Sequence, residues 1–167
     1  RGSASAIRPS SASRVVTVFS DWSGLDSDGA AIRMRAFGSD GLARDTYNGN
    51  TDEITLNLTV AGHQSQPRVA LLTNGNVVVV WRDESDAHGA GPDVRGRVIE
   101  PDGSVVSGEF TLTSDHTGEQ ATPALAAHPG GGFLAVWVGP DSAGFGIQGR
   151  LFNHNGVPVV NAQTSDD

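Results

Sequence analysis

The chain contains no cysteine, no lysine and no run of 18 apolar residues. The first absence excludes a disulfide framework and any thiolate metal site. The last excludes a membrane-spanning helix. All eleven basic residues are arginine, and 19 acidic residues outnumber them, for a net charge of −8 with no basic patch. Phosphate neutralisation therefore cannot drive binding to nucleic acid. An acidic, lysine-free surface suits a soluble protein of a high-GC or salt-adapted bacterium, and it attracts cations, calcium among them.

Catalytic signatures are missing as well. There is no Gly-x-Ser-x-Gly elbow and no Ser-x-Asp-x-Gly-x-x-Trp box of the sialidase-type propellers. Carboxylates are plentiful, but nothing selects one pair for glycoside hydrolysis. His63, His88 and His116 lack the His-x-x-x-His spacing of a zinc site and read as exposed loop histidines. The expectation is a protein that is not an enzyme.

Glycine, by contrast, is abundant: 22 residues, many in Asn-Gly and Asp-Gly pairs that mark tight turns. Between these turns the sequence repeats. Val15-Val16-Thr17-Val18-Phe19, Val77-Val78-Val79-Val80-Trp81 and Phe133-Leu134-Ala135-Val136-Trp137 are three matched runs, each ending in an aromatic residue. Each is followed by a polar loop and a second matched block, at Ile32–Gly41, Val94–Gly103 and Ile147–Gly156. An arginine stands at the same place in all three blocks: Arg35, Arg97 and Arg150. Two further blocks occur twice, Glu53-Ile54-Thr55-Leu56 with Glu109-Phe110-Thr111-Leu112, and Gly62–Pro67 with Gly118–Pro123. One repeat domain thus fills residues 1–167, with copies at about 15–72, 73–128 and 129–164.

The periods are those of strands. The aromatic-ended runs are β-branched and apolar at consecutive positions, as in strands covered on both faces. The second block alternates, as does Ile54, Leu56, Leu58. No segment reads as a helix. Each copy is expected to hold four antiparallel strands, A to D, with A opening at Pro67 or Pro123. Residues 1–14 are too short to repeat strand A cleanly, and 159–164 match strand D poorly. The predicted fold is all-β: three four-stranded repeats resembling β-propeller blades, with a β-trefoil as the alternative. Three blades fall below the usual minimum, so the chain is expected to be half of a dimeric six-bladed ring, a homo-oligomer, or part of a larger propeller.

Gly-x-Gln-x-x-Pro at 62–67 and 118–123, the Val-Val-Val-Val-Trp run, Arg97 to Gly103 and Glu109-Phe110 together resemble a repeat of large secreted bacterial proteins. That repeat is often found beside hemolysin-type (RTX) calcium-binding repeats. The resemblance spans Val15 to about Val160 and implies a propeller-like fold in an extracellular, calcium-rich setting. It supplies no catalytic residue, and the Gly-Gly-x-Gly-x-Asp nonapeptide is absent.

In a blade arrangement the B–C and D–A loops share one end. Carboxylates gather there, and hard oxygen donors on glycine-rich loops are what calcium requires. Asp26, Asp28, Asp83, Asp86 and Asp93 are the predicted ligands. Gln64 and Gln120, at equivalent places, are expected to tie down backbone in the D–A connection. Trp22 and Phe145 are the aromatics expected in loops at that end. The predicted function is a non-enzymatic extracellular bacterial module for adhesion, assembly or ligand binding, its partner a glycan or a surface protein. The alternatives are a multivalent carbohydrate-binding lectin and a propeller-type hydrolase.

Overall fold

A computed structural model of the chain describes residues 3–8, 14–24, 28–43 and 53–159. Every regular element among them is a strand: β1 (Ser3–Arg8), β2 (Arg14–Asp21), β3 (Ala31–Gly38), β4 (Ile54–Thr55), β5 (Gln64–Leu71), β6 (Val77–Asp83), β7 (Asp93–Ile99), β8 (Phe110–Thr111), β9 (Ala121–Ala127), β10 (Phe133–Asp141) and β11 (Gly144–Phe152). They form three separate antiparallel sheets in the orders β1-β2-β3-β4, β5-β6-β7-β8 and β9-β10-β11, none closed into a barrel. No helix of the described residues is long and apolar enough to cross a membrane.

The predicted B and C strands fall on β2/β3, β6/β7 and β10/β11. Two boundaries differ from the expectation. Ser3–Arg8 does supply an A strand, paired with β2 from Ser3↔Phe19 to Arg8↔Arg14. The prolines do not open the A strands but sit within them: β5 begins at Gln64 and β9 at Ala121. Proline cannot donate to the ladder, and the chain accommodates it in a bulge. At each bulge two residues, Gln66-Pro67 or Thr122-Pro123, lie across from the repeated tryptophan. Gln66 and Thr122 take positive φ, 54° and 53°. The D strands are only two residues long, and Leu58 lies exposed beyond the first. The D segment expected at 159–164 lies outside the described residues, apart from Val159.

The sheets stack face to face. One core joins Val16, Val18, Ile32, Met34 and Leu56 of the first sheet to Val77, Val79, Trp81 and Ile99 of the second. A second core joins Val78, Val80, Val94, Val98 and Leu112 to Phe133, Ala135, Trp137 and Phe152 of the third. The unbroken apolar run of β6 is thereby explained. Successive side chains point to opposite faces of a strand, so odd positions meet the first sheet and even positions the third.

Each sheet thus has a front, carrying the repeated aromatic, and a back, carrying the intervening aliphatics. Front packs on back, and the same contacts recur at both interfaces. The Arg97 Nη1 of the second sheet donates to the Leu56 carbonyl of the first at 3.0 Å, and Arg150 Nη1 of the third to the Leu112 carbonyl of the second at 3.4 Å. Gly103, in the turn after β7, lies so close to Ile54 that a Cβ would collide with its Cδ1. Gly156, in the turn after β11, lies just as tightly against Phe110, the residue equivalent to Ile54.

Trp81 and Trp137 are fully or almost fully buried, at 0% and 4% exposure. Replacing either by alanine is expected to cost about 3–5 kcal/mol, the range for large buried aromatics. Urea denaturation of each variant measures this. An unchanged midpoint would remove the repeated aromatic from the core.

Candidate metal centre

The B–C and D–A loops do share one end. Gln64 N donates to the Ala30 carbonyl and Gln120 N to that of Pro92, both at 2.8 Å, while Glu84 N reaches the His63 carbonyl at 2.9 Å. Gln64 and Gln120 fulfil the expected tethering role. The amide of Gln64 donates to the Ala61 carbonyl and that of Gln120 to the Thr117 carbonyl. Gln120 Oε1 also accepts from Trp137 Nε1 at 2.9 Å, tying the connection to the third sheet.

Six charged groups here belong to a repeated ionic network. In the first sheet Arg33 pairs with Asp21 at 3.1 Å and donates to the Glu53 carbonyl. At the same places in the second sheet, Arg95 pairs with Asp83 and with Glu109, each at 2.6 Å. Glu109 further accepts from Leu58 N, Thr59 N and Thr59 Oγ1, which clamps the connection between the first two sheets. Burial would raise the Glu109 carboxyl, but these hydrogen bonds and Arg95 together hold it below the ordinary value. In the third sheet Gly139 replaces the aspartate and Gln148 the arginine, and Gln148 Oε1 accepts from Trp137 Nε1 instead.

The five predicted calcium ligands do not gather at one point. Asp26 lies outside the described residues. Asp28 is exposed and accepts from Gly62 N at 3.2 Å. Asp83 is buried in the ionic network and also accepts from Gln64 Nε2 and from Ser85. Asp86, at φ 52°, closes the β6–β7 loop on Gly91 N at 2.8 Å.

Asp93 is different. Its side chain, 4% exposed, meets His88 Nδ1 at 2.5 Å through Oδ2 and His116 Nδ1 at 2.9 Å through Oδ1. The two imidazoles stack, ring centroids 3.8 Å apart and planes 15° from parallel. Thr113 Oγ1 donates to Asp93 Oδ1 at 3.0 Å and fixes the carboxylate from behind. Burial raises the Asp93 carboxyl, but bonds from His116, His88 and Thr113 outweigh it, and its pKa lies below the ordinary value. Among the described residues this is the one group of three or more His, Cys, Asp or Glu side chains whose donor atoms converge, all within 4.8 Å.

His88 and His116 were not legible as a pair, because they lie 5 and 23 residues from Asp93, on opposite sides of it, and only the fold brings them together. The signal lay in the repeat itself: Ala31 and Gly146 stand where Asp93 stands. Trp22, half exposed, leans on His63 with ring centroids 4.8 Å apart. Phe145 is in strand β11 and not in a loop.

The depressed Glu109 carboxyl gives a pH prediction. Its pKa is lower folded than unfolded, so the folded state binds fewer protons there. The stability it contributes is complete above the ordinary glutamate value of 4.5 and is lost as pH falls through the depressed folded value. Glu109→Gln is expected to lower the melting temperature at pH 7 and to flatten the acid limb of a melting-temperature profile. An acid limb parallel to that of the parent chain would detach Glu109 from the effect.

No protein-family model, curated protein or solved structure matches this chain.

Proposed function

We propose that the chain is a non-enzymatic assembly module of propeller-like blades, and that it works as a head-to-tail dimer in a six-sheet ring. One observation carries this reading. The back faces of the first two sheets are buried, whereas the equivalent back face of the third sheet is open.

Val16, Val18, Ile32 and Met34 in the first sheet, and Val78, Val80 and Val94 in the second, are fully buried or nearly so. Their counterparts in the third sheet are Leu134, Val136 and Ile147. Leu134 is 42% exposed and Ile147 76%, with Phe145 beside them at 65%. The registers Leu134↔Leu151, Val136↔Gly149 and Val138↔Ile147 make the patch continuous, and no charged residue interrupts those pairs. A contiguous exposed apolar patch marks an interaction surface.

The complementary surface is the front of the first sheet. It carries Val15, Thr17, Phe19 and Phe37, half-buried, with Arg35 at the place of Arg97 and Arg150. Gly41, the counterpart of Gly103 and Gly156, has nothing within 4 Å of where its Cβ would be. A second copy offering this front to the open back would repeat an interface that the chain already makes twice. Such contacts are heterologous, and they close when the rotation per sheet closes. Six sheets from two chains fall within the usual four to eight blades. Face-to-face stacking of separate sheets also favours the propeller over the trefoil.

An extracellular bacterial setting accords with the acidic, lysine-free composition and with the repeat it resembles. In this reading an adhesion or ligand-binding role belongs to the loop-bearing end, which stays open when sheets stack on their faces.

Sedimentation equilibrium tests the assembly. The parent chain is expected at twice 17.3 kDa, and Ile147→Asp at a single chain mass with unchanged circular dichroism. Arg35→Ala, on the opposite face, should weaken the same association. A parent chain that stays monomeric at its highest soluble concentration overturns the dimer and leaves the open face to additional repeats.

A further inference from the structure

We propose that His88, Asp93 and His116 form a binding site for a divalent transition ion of the zinc class. This goes beyond the assembly reading and does not depend on it.

Among the described residues, the other buried carboxylates of the loop end have a permanent cation: Asp83 and Glu109 share Arg95. Asp93 is as buried, yet among the described residues no arginine pairs with it, only two imidazoles. A buried carboxylate held without a fixed cation is costly, and a divalent ion seated between Asp93 and the two imidazoles would give it one.

The ionic network recurs at matched positions in the first two sheets, so it belongs to the repeat. Asp93 has no counterpart: Ala31 and Gly146 hold its place, and strands pair there without it. His116 stands where the first copy has Val60, and Thr113 where it has Asn57. Asn57 spans to Ile32 N and Gln64 Oε1, whereas the shorter Thr113 turns to Asp93. Asp93, Thr113 and His116, on two separate segments, therefore depart from the repeat together, and they meet at one point with His88.

Two imidazole nitrogens and one carboxylate are a zinc-class set, with the fourth position left to water or an exogenous ligand. Calcium needs six to eight oxygens, and the neighbouring Asp83, Asp86 and Asp115 are already engaged by Arg95, Gly91 N and Thr117 N. Bonds of about 2.0–2.1 Å to a tetrahedral ion space its ligands by about 3.3 Å. The separations of 2.5 Å to Asp93 Oδ2 and 2.9 Å to Oδ1 fall short of that, so a bound ion needs an opening at both histidines. Both histidines can give it, since each sits in a loop and is about one-third exposed. Thr113 supplies the outer hydrogen bond that orients a ligating carboxylate.

The test uses the tag-free full chain, freed of metal by a chelator. Zinc is added to one sample and calcium to another, and binding is followed by calorimetry and by melting temperature. Cobalt replaces zinc for visible spectroscopy. One equivalent of zinc is expected to bind and raise the melting temperature, calcium to leave it unchanged, and cobalt to show tetrahedral d–d bands. His88→Ala and His116→Ala should each abolish the response, read as the zinc-induced shift from each variant's own metal-free melting temperature. Thr113→Val should weaken zinc by about 10–100-fold. Three results overturn the site: no zinc response in the parent chain, a zinc response that survives the double histidine variant, or a calcium response at least as large that the same variants remove. Should a histidine variant fold poorly, the cobalt spectrum of the parent chain decides, because octahedral bands without nitrogen ligation also exclude the site.

Discussion

Every sheet in this protein has one face that must be covered by the next sheet, and the rest of the structure follows from that constraint. A β-sheet of this composition cannot bury its aliphatic back by itself, so burial comes from stacking. The second sheet satisfies the requirement on both sides, and its β6 strand is the only one of the three central runs in which all five residues are buried. The interface is specified by more than hydrophobicity. An arginine-to-carbonyl bond and a glycine turn pressed on the preceding D strand repeat at each contact, and both require one orientation of front on back. Directional contacts of this kind prevent a sheet from stacking the wrong way round, which a purely aliphatic surface would allow.

The repeat was legible because its spacing is set by backbone geometry that leaves a mark on residue type. Asn74-Gly75 and Asp102-Gly103 announce their turns, since both glycines take positive φ, 89° and 93°. The alternation of Val94, Gly96 and Val98 likewise fixed which residues of β7 share a face. The coverage of the outer faces was less legible. Aromatic-ended runs look alike whether one face or two is buried: Phe133 to Trp137 reads like Val77 to Trp81, yet Leu134 is exposed. Composition records the face a strand is built to bury, not whether a partner is present. The A strand at Ser3–Arg8 was missed because its small residues carry little apolar signal, and its place is set by pairing with β2.

The candidate site was legible only in part, for a different reason. Asp93 was among the predicted ligands, but oxygen-rich loops suggested calcium and spread the choice over five aspartates. Sequence counts carboxylates without showing which are already neutralised. Arg95, two residues beyond Asp93, removes Asp83 and Glu109 from the pool, and that pairing is a matter of register between β6 and β7. The pairs Trp81↔Arg95 and Asp83↔Asp93 put those groups side by side. The histidines come from two loops whose meeting depends on the stacking of the second sheet against the connection into the third.

The two ends of the sheets consequently obey different rules. At the end of the A–B and C–D turns, the chain reverses after β3, β7 and β11 by the same pattern: the N–H of Gly41, Gly103 or Gly156 donates to a carbonyl three residues earlier. The turns at Gly103 and Gly156 pack into the neighbouring sheet and cannot vary without disturbing it. At the other end, the B–C connection occupies residues 84–92 in the second copy but only Ser142 and Ala143 in the third. Loops that lie outside the stacking interface are free to differ in length and content. Residues found in all copies therefore serve the stacking, and residues confined to one copy are free to serve a ligand. By that division Arg97 and Trp81 belong to the scaffold, and the group built on Asp93 does not.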